Sequence, residues 1–148
     1  MQAIIFIGIP GSGKSSFFKE RLFHSHVRIS LDLLKTRHRE QRLLELCLTT
    51  EQRFAVDNTN PTRVVRSAYL EAAKARRFQT AGYYFQSKVE ECLRRNSQRP
   101  PSERVADVAI LSSAKRLELP SLSEGFDQLF YVRLGDAGFV VEEWRDDL

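Results

Sequence analysis

The 148-residue sequence predicts an α/β domain, a mostly parallel central sheet flanked by helices. Three features carry that expectation: short apolar β-rich runs, longer mixed stretches between them, and turn residues at the junctions. Ala3-Ile4-Ile5-Phe6-Ile7 is continuously apolar, as a strand covered on both faces must be. Gly8 to Gly13 is a glycine-rich turn, and Lys14 to about Phe23 reads as a helix. Val27-Arg28-Ile29 is a short strand, and the leucine-rich, charge-studded stretch from Leu31 to Leu48 holds one or two helices. Phe54-Ala55-Val56 is the next strand, closed by Asp57-Asn58-Thr59-Asn60-Pro61. The spacing then predicts a helix from Pro61 to Arg77 with Asn60 as its cap, and a strand at Tyr83-Tyr84-Phe85. Ser87 is expected to cap a helix reaching Asn96, followed by a Pro-Pro loop and a helix over Ser102 to Arg116. Two strands, Leu129–Leu134 and Phe139–Trp144, join through a Gly135–Gly138 turn.

Composition narrows the class. Hydrophobic residues at 42% and charged residues at 28% are a globular balance, so residues 1–148 are expected to form one domain. At that length a second catalytic domain is not expected. No apolar run is long enough for a membrane helix, and the N-terminal segment lacks the basic region of a signal peptide. Cys47 and Cys92 are too few for a zinc cluster, the three histidines lack ligand spacing, and a reducing, cytoplasmic setting is expected. A net charge of +4 permits a polyanionic partner, and no obligate protein partner is implied.

The strongest motif is Gly8-Ile9-Pro10-Gly11-Ser12-Gly13-Lys14-Ser15, which fits G-x-x-x-x-G-K-[ST] between a predicted strand and a predicted helix. The glycines let successive N–H groups turn inward as an anion nest, and the helix adds its positive end. Lys14 is expected on the β- and γ-phosphates and the Ser15 hydroxyl on Mg²⁺, with Ser16 next in the cradle. The pattern predicts a P-loop NTPase rather than a glycine-rich strand-to-helix turn with an incidental Lys-Ser, and the remaining motifs must say of which type.

Asp32 follows the second strand, where a carboxylate could take a proton from an acceptor hydroxyl or simply start the next helix. Asp57 ends a buried strand, the position from which a carboxylate supports Mg²⁺, or else closes an Asx turn. Arg95 and Arg99 bracket the Ser97–Ser102 loop and are candidates for a lid over the phosphates; the competing role is a solvated basic face. Lys35 opens a second basic stretch beyond Asp32 that fits acceptor phosphates or a hydrated helix surface.

Taken in order, these segments resemble the P-loop kinase domain of the polynucleotide 5′-hydroxyl kinases, the end-repair kinases of phage and animals. The likeness rests on the P-loop, Ile29-Ser30-Leu31-Asp32, Val56-Asp57-Asn58-Thr59-Asn60-Pro61, Arg94-Arg95-Asn96-Ser97-Gln98-Arg99 and Pro120-Ser121-Leu122-Ser123-Glu124-Gly125-Phe126. It implies a kinase-type P-loop fold with a lid near residues 95–104. It also implies ATP and Mg²⁺ on Lys14 and Ser15, Asp32 as general base, Asp57 organising metal and substrate, and Arg99 with Arg95 on the ATP phosphates. The sequence departs from the family at Ser30-Leu31-Asp32, where Asn-Arg-Asp is usual, and at Lys35, where an arginine usually meets the acceptor phosphate. The phosphatase domain that often accompanies the family is not expected. The favoured reaction is γ-phosphate transfer to a 5′-hydroxyl end of DNA or RNA. A small-molecule kinase and a non-catalytic ATP-binding module are the alternatives.

Overall fold

A computed structural model describes residues 1–147. A six-stranded sheet in the order β2-β3-β1-β4-β5-β6 runs through the molecule: β1 is Gln2–Ile7, β2 Val27–Ile29, β3 Phe54–Val56, β4 Gln79–Phe85, β5 Gln128–Gly135 and β6 Gly138–Glu143. The first five pair in parallel, and β6 returns antiparallel to β5 through a tight turn. The helices are α1 Lys14–Arg21, α2 Leu31–Leu34, α3 Arg37–Thr49, α4 Arg63–Ala75, α5 Val89–Ser97 and α6 Asp107–Arg116. No helix among the described residues is long and apolar enough to cross a membrane.

The unbroken hydrophobicity of β1 follows from its central place. Ala3, Ile5 and Ile7 face a core shared with Leu44, Cys47 and Leu48 of α3 and Leu70 and Ala73 of α4. Ile4 and Phe6 face the opposite layer, where Phe17 and Phe18 of α1 pack on Phe85. Phe6, Phe17 and Phe85 meet edge to face, with centroids 4.9–5.9 Å apart, the arrangement aromatic quadrupoles favour. Both cysteines are free and buried.

Three expected boundaries move. Asn60 is not the cap of α4. It takes a left-handed backbone (φ 46°), and Thr62 caps instead, its hydroxyl accepting from the Val65 N–H at 3.2 Å. Ser87 does not cap α5 either, since Lys88 holds that position and the serine bonds elsewhere. The helix expected from Ser102 splits into a 3₁₀ turn at Pro101–Glu103 and α6. Between them the Asn96 amide pins the chain, donating to the Val105 carbonyl at 2.7 Å and accepting from the Val105 N–H at 3.0 Å.

The late segment around Glu124 has a structural task. Ser121 and Glu124 form a capping box over a 3₁₀ turn that ends at left-handed Gly125. The Glu124 carboxylate takes both Nε and Nη2 of Arg66, at 2.8 and 3.0 Å, while Arg66 Nη1 donates to the Asn60 carbonyl at 3.0 Å. Arg66 is fully buried, so its charge depends on that fork. Glu124→Ala is therefore expected to lower unfolding free energy in urea by about 3–5 kcal/mol, and an Arg66→Met/Glu124→Leu pair to recover most of it. A single variant as stable as the parent would show that the fork bears no load.

Candidate active site

In an open parallel sheet the binding crevice lies outside the carboxyl ends of the strands, where the connections change direction. Here that point is the end of β1. The chain leaves β1 toward β2 and β3 on one side and then passes to β4 on the other. The Gly8–Gly13 turn sits at this point. Gly11 has φ 85°, and a Cβ there would lie 2.7 Å from the Cys92 carbonyl oxygen, so both conformation and space require glycine. Gly13, at φ 102°, is the N-cap of α1 and offers no side chain, and the first turn of α1 carries no acidic residue. The N–H groups and positive end of α1 are thus left for an anion.

The turn is held from both flanks. The Gly8 N–H donates to the Thr59 carbonyl at 3.1 Å, and Asn60 Nδ2 donates to the Phe6 carbonyl at 2.7 Å. On the other side, Ser87 Oγ accepts from the Ile9 N–H at 3.1 Å and donates to the Phe85 carbonyl at 2.8 Å. Arg95 reaches in from α5, donating to the Gly11 carbonyl at 3.0 Å. Lys14 Nζ donates to the Gly8 and Ile9 carbonyls at 2.8 and 3.0 Å. Burial lowers its pKa to about 8. The carboxylates of Asp57 and Asp32 work against that shift and the Arg99 guanidinium with it. The Ser12 hydroxyl is buried without a protein partner, as a donor kept for a phosphate oxygen would be.

Asp57 leaves β3 with its N–H donating to the Ile29 carbonyl at 2.8 Å. Its Oδ2 accepts from Ser15 Oγ at 3.0 Å and from Arg28 Nε at 2.8 Å, and Arg28 Nη2 donates to Ser15 Oγ at 3.0 Å. Two hard oxygens 3.0 Å apart have the spacing of neighbouring ligands on a magnesium octahedron, about 3 Å for metal–oxygen bonds near 2.1 Å. A cation of this chain already bridges them. The residues fit Mg²⁺ bound through one or two protein oxygens, the rest of its shell coming from phosphate and water.

Asp32 lies in the first turn of α2, exposed on the cavity wall, with Ser30 rather than Asp32 at the cap position. Its placement depends on Asn58. The Asn58 Oδ1 accepts from the Leu31 N–H at 2.9 Å, and its Nδ2 donates to Glu40 Oε2 at 2.7 Å. Glu40, buried in α3, also accepts from the Tyr69 hydroxyl at 2.8 Å and from Arg37 at 2.9 Å. Burial and the neighbouring Glu40 push the Tyr69 hydroxyl up to about 12, so it stays a donor.

One cavity of about 330 Å³ gathers Lys14, Ser15, Asp32, Asp57 and Arg99, together with Arg37 and Arg116. Lys35 is not on its wall. It sits at the C-cap of α2 with a positive φ of 75° and is exposed. Gly8, Ser12, Gly13 and Ser16 are also off the wall, the first three contributing to the turn beneath it. Sequence reasoning did not single out Arg28, Arg37 as distinct from its basic neighbours, or Ser87 as a prop of the turn. The only signal for Arg28 was a charge inside a three-residue strand directly before the Asp32 turn. Ser87→Ala leaves the Ile9 N–H unpaired, a loss of about 1 kcal/mol that should raise the nucleotide dissociation constant about fivefold with α-helical content unchanged. Unaltered nucleotide affinity in calorimetry would remove Ser87 from the support of the turn.

Comparison with known proteins agrees with this geometry. The AAA_33 family model, an AAA domain, matches residues 4–120. A bifunctional polynucleotide phosphatase/kinase of Schizosaccharomyces pombe is 26% identical over 84% of the chain, and a putative one of Acanthamoeba polyphaga mimivirus is 29% identical over 86%. The chain spans about a third of the length of these relatives, 32% of each. Among solved structures, Kti12 of Chaetomium thermophilum in complex with ADP-AlF3 superposes with a TM-score of 0.67 at 18% identity, covering 90% of both chains. A gluconokinase of Sinorhizobium meliloti gives 0.65 at 17% identity, covering 89% of this chain and 82% of that one. These likenesses show a shared fold. The chain belongs to the AAA_33 family and is a P-loop domain of the kinase type, similar to polynucleotide kinases.

Proposed function

We propose that this domain transfers the γ-phosphate of ATP to a hydroxyl, the acceptor being the 5′-OH end of a DNA or RNA strand. The observation that carries the reading is the joint presence of Lys14, Ser15, Asp32 and Arg99 on the wall of one cavity. ATP lies with its β- and γ-phosphates in the turn, against Lys14 and the α1 amides. Ser15 and Asp57 would hold Mg²⁺, which when bound would supply positive charge to offset that of the phosphates. Asp32 accepts the proton of the acceptor hydroxyl as its oxygen bonds to the γ-phosphorus. The bond from that phosphorus to the β,γ-bridging oxygen breaks, and ADP departs. Arg99 closes from the 97–104 loop over the transferring oxygens, and Arg95 keeps that helix joined to the turn. These groups act by position and charge, which suits a reaction needing little covalent help.

The acceptor class is supported by the names of the two curated relatives and by the cations outside the phosphate turn. Arg37, anchored by Glu40, stands on the wall that carries Asp32 and takes over the acceptor-phosphate role expected of Lys35. Lys35 is left for a phosphate outside the cavity. A labelled γ-phosphate transfer assay against 5′-OH oligonucleotides and a metabolite panel tests the reading. Product on the oligonucleotides is expected, and product only on a metabolite would reassign the acceptor. Asp32→Ala should cut transfer by about a hundredfold or more while nucleotide affinity holds, and near-parental turnover would reject Asp32 as the base. Oligonucleotide affinity should fall as salt rises, because phosphate contacts release counterions.

A further inference from the structure

The cation position between Ser15 and Asp57 already has an occupant made by the chain itself. Arg28 Nε lies 2.8 Å from Asp57 Oδ2, and its Nη2 lies 3.0 Å from Ser15 Oγ, so one guanidinium spans both oxygens. Those are the oxygens assigned above to Mg²⁺. A guanidinium lodged against the same hydroxyl and carboxylate oxygen opposes, by its charge and its bulk, a small divalent cation that would be ligated by both. The Asp57 side chain is 2% exposed and anchored at the end of a buried strand, whereas the Arg28 side chain is 29% exposed. Of the two partners, only the arginine can leave. Its strand makes the exit available, because β2 is an edge strand paired with β3 alone. No change of pH in the physiological range discharges a guanidinium, so displacement has to come from a stronger cation.

We propose that Arg28 is a resident competitor for the divalent-cation position: it holds Ser15 and Asp57 in place before nucleotide binds and is displaced when Mg²⁺ enters. Arg28 is thus a positioning residue with a second consequence. Free Mg²⁺ brings too little binding energy to expel a charge-assisted fork from a largely buried carboxylate. Mg²⁺ already coordinated by a triphosphate brings the additional contacts of the phosphates with Lys14 and the α1 amides. The site therefore refuses the bare metal and admits the metal–nucleotide complex, which keeps Ser15 and Asp57 organised without committing them to an unproductive ion. This inference rests on the kinase reading only for the binding of nucleotide and metal, and is independent of the acceptor.

The experiment compares the full chain with R28Q and R28K. Binding of a fluorescent, non-hydrolysable ATP analogue is titrated at increasing Mg²⁺, and Mn²⁺ binding without nucleotide is followed by electron paramagnetic resonance. Removing the charged fork should lower the Mg²⁺ midpoint for nucleotide binding about tenfold in R28Q, the weight of one hydrogen bond to a charged group. R28K keeps a point charge but loses the planar fork, and its midpoint should fall about threefold. Mn²⁺ should bind R28Q in the absence of nucleotide more tightly than it binds the parent. The melting temperature of R28Q should be lower in chelator and rise more on adding Mg²⁺ than that of the parent. If R28Q does not fold, R28K carries the same comparison. A Mg²⁺ midpoint unchanged or raised in the folded variants, with nucleotide still bound, would overturn the competitor role, and a raised midpoint would make Arg28 a helper of the metal. Failure of the parent to bind nucleotide at any Mg²⁺ concentration would overturn both this inference and the kinase reading. Binding without transfer to any acceptor would overturn the kinase reading alone.

Discussion

The parallel register of β1 against β3 is the constraint from which the site follows. Pairing Ile5 with Val56 ends β3 two residues short of the end of β1, so the turn after Ile7 and the carboxylate after Val56 emerge at the same end of the sheet. Ser15, one residue past the lysine of the turn, then meets Asp57 at hydrogen-bonding distance. A slip of one residue would exchange the two faces of β1 and move Asp57 along the crevice at once. The interdigitated packing on both faces of β1 holds that register, Ile5 against the α3–α4 side and Phe6 against the aromatic cluster with Phe17 and Phe85. The apolar core thus sets the geometry of a polar site.

On that scaffold the chain concentrates like and unlike charges in a small volume. Lys14 is buried, and the neighbouring Asp57 and Asp32 only partly offset the cost of desolvating it. An anion bound in the turn would offset that cost with negative charge. The same logic explains why the turn is braced by Ser87, Thr59, Asn60 and Arg95 rather than left as a free glycine loop. Amides that must point inward before a ligand arrives have to be paid for by bonds made elsewhere.

The parts of this arrangement that were legible in the sequence are those with local causes. A buried parallel strand declares itself by continuous hydrophobicity, and the P-loop by glycines whose conformations only glycine adopts easily, so β1, the turn and α1 were readable from the residues alone. The boundaries that moved had nonlocal causes. Asn60 fits a cap by local propensity, yet its side chain is drawn to the Phe6 carbonyl across the sheet and its backbone turns left-handed. Ser87 likewise has a partner far away in sequence, at Ile9. Lys35 and Arg37 are both basic and two residues apart, and no pattern in the stretch says which faces the crevice. The turn between α2 and α3 decides it, together with a glutamate one helical turn further on. Arg28 was hidden by its setting, because an arginine in a short edge strand ordinarily points to solvent.

The motifs that make this chain resemble polynucleotide kinases beyond the P-loop do more building than chemistry. In Asp57-Asn58-Thr59-Asn60-Pro61 only the first residue meets Ser15; Asn58 sets the start of α2, and Thr59 and Asn60 brace the glycine-rich turn. Glu124 of the late segment reaches this same loop through Arg66, whose third donor ends on the Asn60 carbonyl. The two segments, far apart in the sequence, are therefore one mechanical unit with Arg66 as the link. Such a unit constrains the nucleotide half of the crevice tightly. It reaches the Asp32 side of the crevice through Asn58, which holds the start of α2 at the Leu31 amide and α3 at Glu40. That is the side on which Ser30-Leu31-Asp32 and Lys35 stand, and there a three-residue bridge of Asn58, Glu40 and Arg37, not the Arg66 link, sets the wall of the cavity.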